Sequence, residues 1–477
     1  MKLRSKDEME SKFIFLLSYM LALFTADLPP GVIISLVASL EYLKEYSAIF
    51  KKLDILINGF KYKFSTAINI LASKERILPL RDFLIRFSQA LSHGDDMQAY
   101  LDREINMAIS EYEANMMRKI DSMANFLSIY GTLSSSLIFL MVNLTLVSIL
   151  FNMGTSSLEL LSMSLVMIVL LMTLIVYMSY KPETYVIYKK REKYLTISLI
   201  MPVLILTILM HSFISILLLG SEFLALGIYF RSKERKLDIL ERHYVTFVTY
   251  FSRTYSIVNN LKEAFSSILR GDIGKMRPLV MSAYNRIEFG IKKSIVFELM
   301  GEESGSVLIL MMNRVIANTI EYGGNIRHIG DILAKVGTSL LNIRAKREQN
   351  GRAFEASVYA LQASSSAIGG TLISLLGIFE KIFSFDIISN IFTLGKVNIS
   401  LISLLILFIL IVISFANGIA ITIAYGKSIY SGMYFIGILM IITVIAFHLS
   451  YIMTSGIFSS VFKGLPNVSP SSLANFQ

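Results

Sequence analysis

Residues 126–150 contain no Asp, Glu, Lys or Arg. A run of that length can cross the roughly 30 Å hydrocarbon core of a bilayer as a helix, and in lipid only helices and closed barrels satisfy their own backbone groups. Charge-free runs recur at 160–180, 356–379, 401–424 and 429–453, and 195–229 is interrupted only by Glu222. At 1.5 Å per residue this last stretch is about 50 Å long, too long for one span, and reads as two spans hinged near His211 and Ser212. The expectation is seven spans. Composition agrees: 54% of the 477 residues are hydrophobic, 17% are charged and the mean hydropathy is +0.61, whereas soluble chains are roughly one quarter charged. Proline is scarce and Leu, Ile, Met and Phe carry much of the apolar content, which favours helix over strand. The fold class read here is an all-α membrane protein, with two duplicated cytoplasmic helical bundles and about seven transmembrane helices.

Orientation follows from the basic residues. Lys and Arg gather in 1–125, in 181–194 (Lys181, Lys189, Lys190, Arg191, Lys193) and in 231–355, and seven spans put these segments on one side. The opposite side receives 152–157, 380–400 and the tail, whose basic residues are Lys381, Lys396 and Lys463. The positive-inside rule then places the N-terminus and both large polar segments in the cytoplasm and the C-terminus outside. The apolar stretch 13–24 resembles a signal-peptide core, but it reaches Asp27 and Pro29-Pro30 after about a dozen residues, too few to span. No small-residue cleavage site follows. It is expected to be a buried or membrane-skimming helix of a soluble domain.

The two polar segments look like copies. Glu10 and Tyr19 recur as Glu241 and Tyr250, and Gly59 as Gly290, all at an offset of 231. Residues 93–102 (HGDDMQAYLD) lie over 322–331 (YGGNIRHIGD), two residues out of step, and the serines at 134–136 match those at 364–366. Ordered matches at a nearly constant offset point to a duplicated unit. Each copy is helical in pattern: Phe83, Phe87, Ala90 and Leu91 share a helical face that ends before Gly94, and the equivalent helix ends at Gly323-Gly324. Asp95-Asp96 opens the next helix, where acids complement the dipole. The domains expected are 1–125, first cytoplasmic helical domain; 126–230, about four membrane helices; 231–355, second cytoplasmic domain; 356–453, about three membrane helices; and 454–477, an extracytoplasmic tail.

A duplicated helical unit, a Gly-Asp or Gly-Gly turn near its end and membrane helices after each copy together resemble the type II secretion F-domain family. Multiple spans between and after the copies resemble its archaeal branch, the membrane platform proteins of archaella and archaeal type IV pili. The resemblance implies a non-enzymatic platform in the cell membrane that couples a cytoplasmic secretion ATPase hexamer to filament assembly. It also implies prepilin or archaellin-like filament subunits and membrane lipids as partners, a homodimer, no cofactor and no nucleic acid.

The residues offer little chemistry of their own. The absence of cysteine excludes disulfides, iron–sulfur clusters and cysteine nucleophiles. A phosphate loop needs a glycine five residues before Gly426-Lys427-Ser428, and that position is Ile421 within a span. The histidines at 93, 211, 243, 328 and 448 lack metal-ligand spacing. Glu222, an acid in an apolar run, reads as an interhelical contact in preference to a proton relay. The small residues at 134–136 and 363–370 read as close-packing faces. A membrane transporter or membrane-embedded enzyme is the alternative, but a transporter shows its repeat inside the membrane, whereas here the clearest repeat is the polar unit.

Charge is the remaining clue to a partner. In 231–355 basic residues outnumber acids. The clusters Arg231, Lys233, Arg235, Lys236 and Arg344, Lys346, Arg347, Arg352 adjoin spans and can hold anionic headgroups. Lys275, Arg277, Lys292 and Lys293 lie far along the chain from any span and are the candidate partner-binding residues for an acidic protein surface such as the ATPase.

Overall fold

The computed structural model describes residues 11–75, 77–150, 155–180, 196, 198, 200–202, 205, 213–383 and 399–463. Glu10, the basic loop 181–194, the expected hinge at His211 and Ser212, and the tail beyond Lys463 lie outside them. The described residues are overwhelmingly helical and contain no strand. The helices are α1 (Ser11–Phe24), α2 (Pro30–Ala38), α3 (Lys44–Asp54), α4 (Phe64–Ala72), α5 (Leu78–His93), α6 (Met97–Leu150), α7 (Thr155–Ser179) and α8 (Phe213–Val258). They continue with α9 (Leu261–Leu269), α10 (Arg277–Glu288), α11 (Lys293–Ser304), α12 (Val307–Tyr322), α13 (Ile326–Phe383), α14 (Ile399–Tyr425) and α15 (Ile429–Lys463). Six of them, α6, α7, α8, α13, α14 and α15, carry stretches long and apolar enough to cross a membrane. The first part of the expected span region 195–229 falls mostly outside the described residues, so the seventh span does too.

The chain divides into two compact units. The first joins 1–120 and 233–346 through one continuous apolar core. Within it the two helical series run in the same order. The helix α2 begins and ends 231 residues before α9, and α5 begins and ends 229 residues before α12. Buried positions follow suit: Phe13, Leu16, Leu17, Met20 and Phe24 of α1 stand where Tyr244, Phe247, Val248, Phe251 and Tyr255 stand in α8. In α5, Leu80, Phe83, Leu84 and Phe87 stand where Ile309, Met312, Asn313 and Ile316 stand in α12.

The offset changes by two residues between α2 and α5, and the helical stretch before the turn is longer in the first series, Lys44–Gly59 against Arg277–Glu288. Residues Ile55–Gly59 widen into a π-helical turn, with the Phe60 amide bonded to the Ile55 carbonyl at 2.9 Å, and such a turn takes in extra chain. The left-handed residue that follows is Lys61 (φ 60), matching Gly290 (φ 76) at the later offset. Gly59, which the sequence pairs with Gly290, instead sits inside the π-turn. Both α5 and α12 stop at a left-handed glycine, Gly94 and Gly323. The helices after them open under side-chain caps: Asp96 Oδ1 accepts from the amides of Gln98 and Ala99, and Asn325 Oδ1 from that of His328. The stretch resembling a signal-peptide core is α1, buried from Phe13 to Phe24.

The second unit comprises the described residues of 121–180, 196–232 and 347–463. Lipid tails are as apolar as leucine, so burial alone does not hold helices together there, and close packing contributes much of the attraction. Glycines bring the backbones together. A Cβ on Gly227 of α8 would fall 2.1 Å from the Tyr434 amide of α15, and one on Gly437 would fall 2.5 Å from the Leu224 amide. A Cβ on Gly370 of α13, in the small-residue stretch, would meet the Phe447 carbonyl at 2.1 Å.

The first unit also buries an ion pair. Beyond the apolar stretch of α8, fully buried Glu241 receives Arg344 on one carboxylate oxygen and the Ser306 hydroxyl on the other, the latter at 2.5 Å. Burial lifts the Glu241 carboxyl above the ordinary glutamate range, against the pull of Arg344 and the Ser306 hydrogen bond. A raised carboxyl stabilises the fold most below its unfolded pKa of about 4.3, and this contribution is lost as pH rises through the folded pKa. The melting temperature of the full chain in detergent should therefore fall along that limb, and Glu241→Gln should flatten it. Arg344→Met, which strands the carboxylate, should cost about 3–5 kcal/mol. Melts from pH 4 to 8 on the three proteins check both.

Candidate functional sites: surface cations, an inter-series seam and a polar chain between apolar helices

The four candidate cations are all exposed. Lys275 lies in the short 3-10 turn before α10 and Arg277 is the first residue of α10. Lys292 and Lys293 stand at the start of α11. The sequence treats them alike, but the structure separates them. Lys292 Nζ lies 2.7 Å from Glu321 Oε1, and that carboxylate holds the ammonium above the ordinary lysine value. Part of its charge is already answered within the fold.

Of the cations expected at lipid headgroups, Arg231, Arg344, Arg347 and Arg352 are engaged by the protein. The Arg231 guanidinium sits 4.1 Å from the Tyr434 ring centroid and 5.0 Å from that of Phe435. Arg344 pairs with Glu241, and Arg352 with Glu348 one turn away. Arg347 donates to the Ile423 carbonyl at 2.7 Å and the Tyr180 carbonyl at 3.1 Å. These carbonyls lie at the ends of α14 and α7, where helices leave acceptors unsatisfied. Gly426-Lys427-Ser428 forms the turn after α14, with Gly426 at φ 67.

A seam joins the two helical series of the first unit. Helix α1 lies along α12, with the Tyr19 hydroxyl 3.4 Å from Asn318 Oδ1 and the Thr25 hydroxyl accepting from the Asn325 amide at 3.1 Å. Gly324 allows the approach, since a Cβ there would be 2.7 Å from the Ala22 carbonyl. His328 Nε2 is 2.9 Å from both carboxylate oxygens of Asp102, Lys335 Nζ donates to Asn106 at 2.6 Å, and Arg314 lies 4.4 Å from the Tyr42 ring centroid. The seam is not reciprocal. Tyr19 is 2% exposed, whereas Tyr250, its counterpart in α8, is 62% exposed. Phe15 and Ala22 of α1 are replaced in α8 by exposed Thr246 and Arg253. Met311 and Val315 of α12, both buried, are replaced in α5 by Asp82 and exposed Arg86.

In the second unit a buried chain of hydrogen bonds links five apolar helices. Gln362 of α13 donates to Ser414 of α14 at 3.0 Å and Thr443 of α15 at 2.8 Å, while its carbonyl accepts from Asn417 of α14 at 2.9 Å. Asn417 Oδ1 accepts from the Tyr130 hydroxyl of α6 at 3.0 Å, and that hydroxyl lies 3.5 Å from Thr173 of α7. Each interhelical bond of this kind contributes about 0.6–2 kcal/mol in a membrane. A lone amide in a charge-free run, Gln362, is the signal that could have located this network from the sequence. Glu222, by contrast, has a buried Oε2 with no hydrogen-bond partner among the described residues.

No family model matches the chain, and no solved structure matches it. It is similar to Flagella accessory protein J of Methanocaldococcus jannaschii, 22% identical over 443 residues, which cover 85% of this chain and 78% of that protein. The likeness thus runs through most of both chains, and the protein it reaches is named for an accessory role in flagella.

Proposed function

We propose that this chain is the integral membrane platform of an archaellum or a type IV pilus-like filament. In this reading it is a non-enzymatic body that couples a cytoplasmic secretion ATPase hexamer to assembly of prepilin or archaellin-like subunits. The observation that carries the reading is the similarity to Flagella accessory protein J along 85% of the chain. Six apolar helices of spanning length among the described residues support it, as does a polar helical series that recurs in the same order. On this reading 1–125 and 231–355 are copies of one cytoplasmic unit, the C-terminus is extracytoplasmic and the platform works as a homodimer in the cell membrane. Lys275, Arg277 and Lys293, exposed and without an ion pair among the described residues, present charge toward the ATPase, and Lys292 an oriented ammonium held by Glu321.

Deleting the protein should abolish filaments, and the full chain should restore them; filaments in the deletion strain would contradict the platform role. Orientation is testable because the chain has no native cysteine. Ser267→Cys, at an exposed position of α9, should resist an impermeant thiol reagent on intact cells, whereas Ser471→Cys should react. The reverse pattern would invert the topology. Reversing Lys275, Arg277 and Lys293 together to Glu should weaken binding of the ATPase to the full chain and make residual binding less salt-sensitive, because exposed charges act within a Debye length of about 8 Å at 0.15 M salt. Lys292 is left in place so that Glu321 keeps its partner. Binding that is unchanged at both low and high salt would remove these residues from the contact.

A further inference from the structure

The turn that follows α3 and the turn that follows α10 share their first and last residue types and a left-handed second residue. The first reads Phe60, Lys61, Tyr62, Lys63; the second, 229 residues later, reads Phe289, Gly290, Ile291, Lys292. In each the second residue is left-handed, φ 60 at Lys61 and φ 76 at Gly290. In each the closing lysine has an extended backbone and stands immediately before the next helix. In each the aromatic residue is out in solvent: Phe60 is 69% exposed and Phe289 is 84% exposed, with Tyr62 and Ile291 exposed beside them. Single exposed apolar residues are ordinary on protein surfaces. The same phenylalanine, apolar residue and lysine on the same backbone in both series is a repeated feature, kept where the seam-facing positions of the two series have diverged.

We propose that these two turns are equivalent docking knuckles for one protein partner whose surface offers apolar pockets rimmed by carboxylates, at least twice. Each phenylalanine would gain from burial, and aromatic anchors seated in a pocket dominate interface energetics. Exposed Lys61 and Lys63 in the first turn, and exposed Lys293 at the end of the second, match a carboxylate rim. Two similar knuckles on one chain match a partner built from identical subunits, where the second contact forms at high effective concentration. An anionic lipid surface fits less well. Attraction to lipid depends on unneutralised positive charge, yet Lys292 is paired with Glu321, and Glu288, next to Phe289, brings a carboxylate that is itself paired with Lys262. A lysine held in place by Glu321 suits a directional contact with a protein. The inference rests on the proposed platform reading only in taking both series to face a multimeric aqueous partner.

The test uses the full chain in its own cells. A photo-reactive phenylalanine analogue is placed singly at 60, at 289 and, as a control, at Tyr250, which is exposed but lies outside the turns. Positions 60 and 289 should cross-link to one and the same protein, and position 250 should not. Adducts with lipid, with a second copy of this chain, with two different proteins, or no adduct at either position would each overturn the proposal. Phe60→Ser and Phe289→Ser remove exposed side chains and leave the core intact. In phosphatidylcholine nanodiscs each should weaken binding of the cross-linked protein at least about tenfold through lost bivalency, and the double variant should weaken it further. Unchanged affinity in the double variant would also overturn the proposal. A shared adduct other than the secretion ATPase would leave the knuckles standing and put the proposed ATPase contact elsewhere on the chain. Where the shared adduct is the ATPase, binding indifferent to both substitutions would overturn the knuckles and leave the ATPase in the proposed function.

Discussion

Helix α1 is apolar all round, and a helix of that kind must be covered all round. One face closes its own bundle, with Phe13 against Phe83 and Tyr46 and Phe24 against Phe87. The other face, with Phe15, Tyr19 and Ala22, is covered by the second series at α12. Each large side chain buried this way contributes about 1.5–3 kcal/mol, and the seam's hydrogen bonds fix its register. The corresponding stretch of α8 keeps only the first face apolar. This difference, with the one between α12 and α5, joins two similar bundles head to tail into one body, and the polar residues at the unused counterparts on α8 and α5 disfavour the same contact elsewhere.

The second unit meets a different constraint. Among lipid-facing helices, backbone proximity and hydrogen bonding replace the hydrophobic drive. Gly227, Gly437 and Gly370 let backbones touch, and Gln362 and Asn417 tie α6, α7, α13, α14 and α15 through side chains whose alternative is an unsatisfied group in hydrocarbon. Arg347 adds a third device by serving carbonyls at two helix ends at once.

The helical class, the apolar helices and the repeat were legible in the sequence because each is a periodic or compositional signal spread over many residues. The drift of the offset from 231 to 229 was visible, but the π-turn at Ile55–Gly59 was not, since a turn of this kind leaves no compositional trace. The pairing of Glu241 with Arg344 joins residues 103 apart and depends on tertiary packing. The basic residues at 275, 277, 292 and 293 could be read as exposed, but the engagement of Lys292 by Glu321 could not. Phe60 and Phe289 were missed because a lone phenylalanine in a chain that is 54% hydrophobic reads as core. Tyr19 and Tyr250 occupy matching positions in the two series and have opposite environments, so a repeat in sequence does not imply a repeat in contacts.

The most direct measurement of the account addresses the seam. The chain has no cysteine to interfere, and the Thr25 hydroxyl meets the Asn325 amide at 3.1 Å. Thr25→Cys combined with Asn325→Cys, treated in membranes with a short bifunctional thiol reagent, should give an intramolecular cross-link that shifts the mobility of the single chain, while either cysteine alone gives none. Cross-links only between two chains, or none in the double variant, would contradict the docking of α1 on the second helical series.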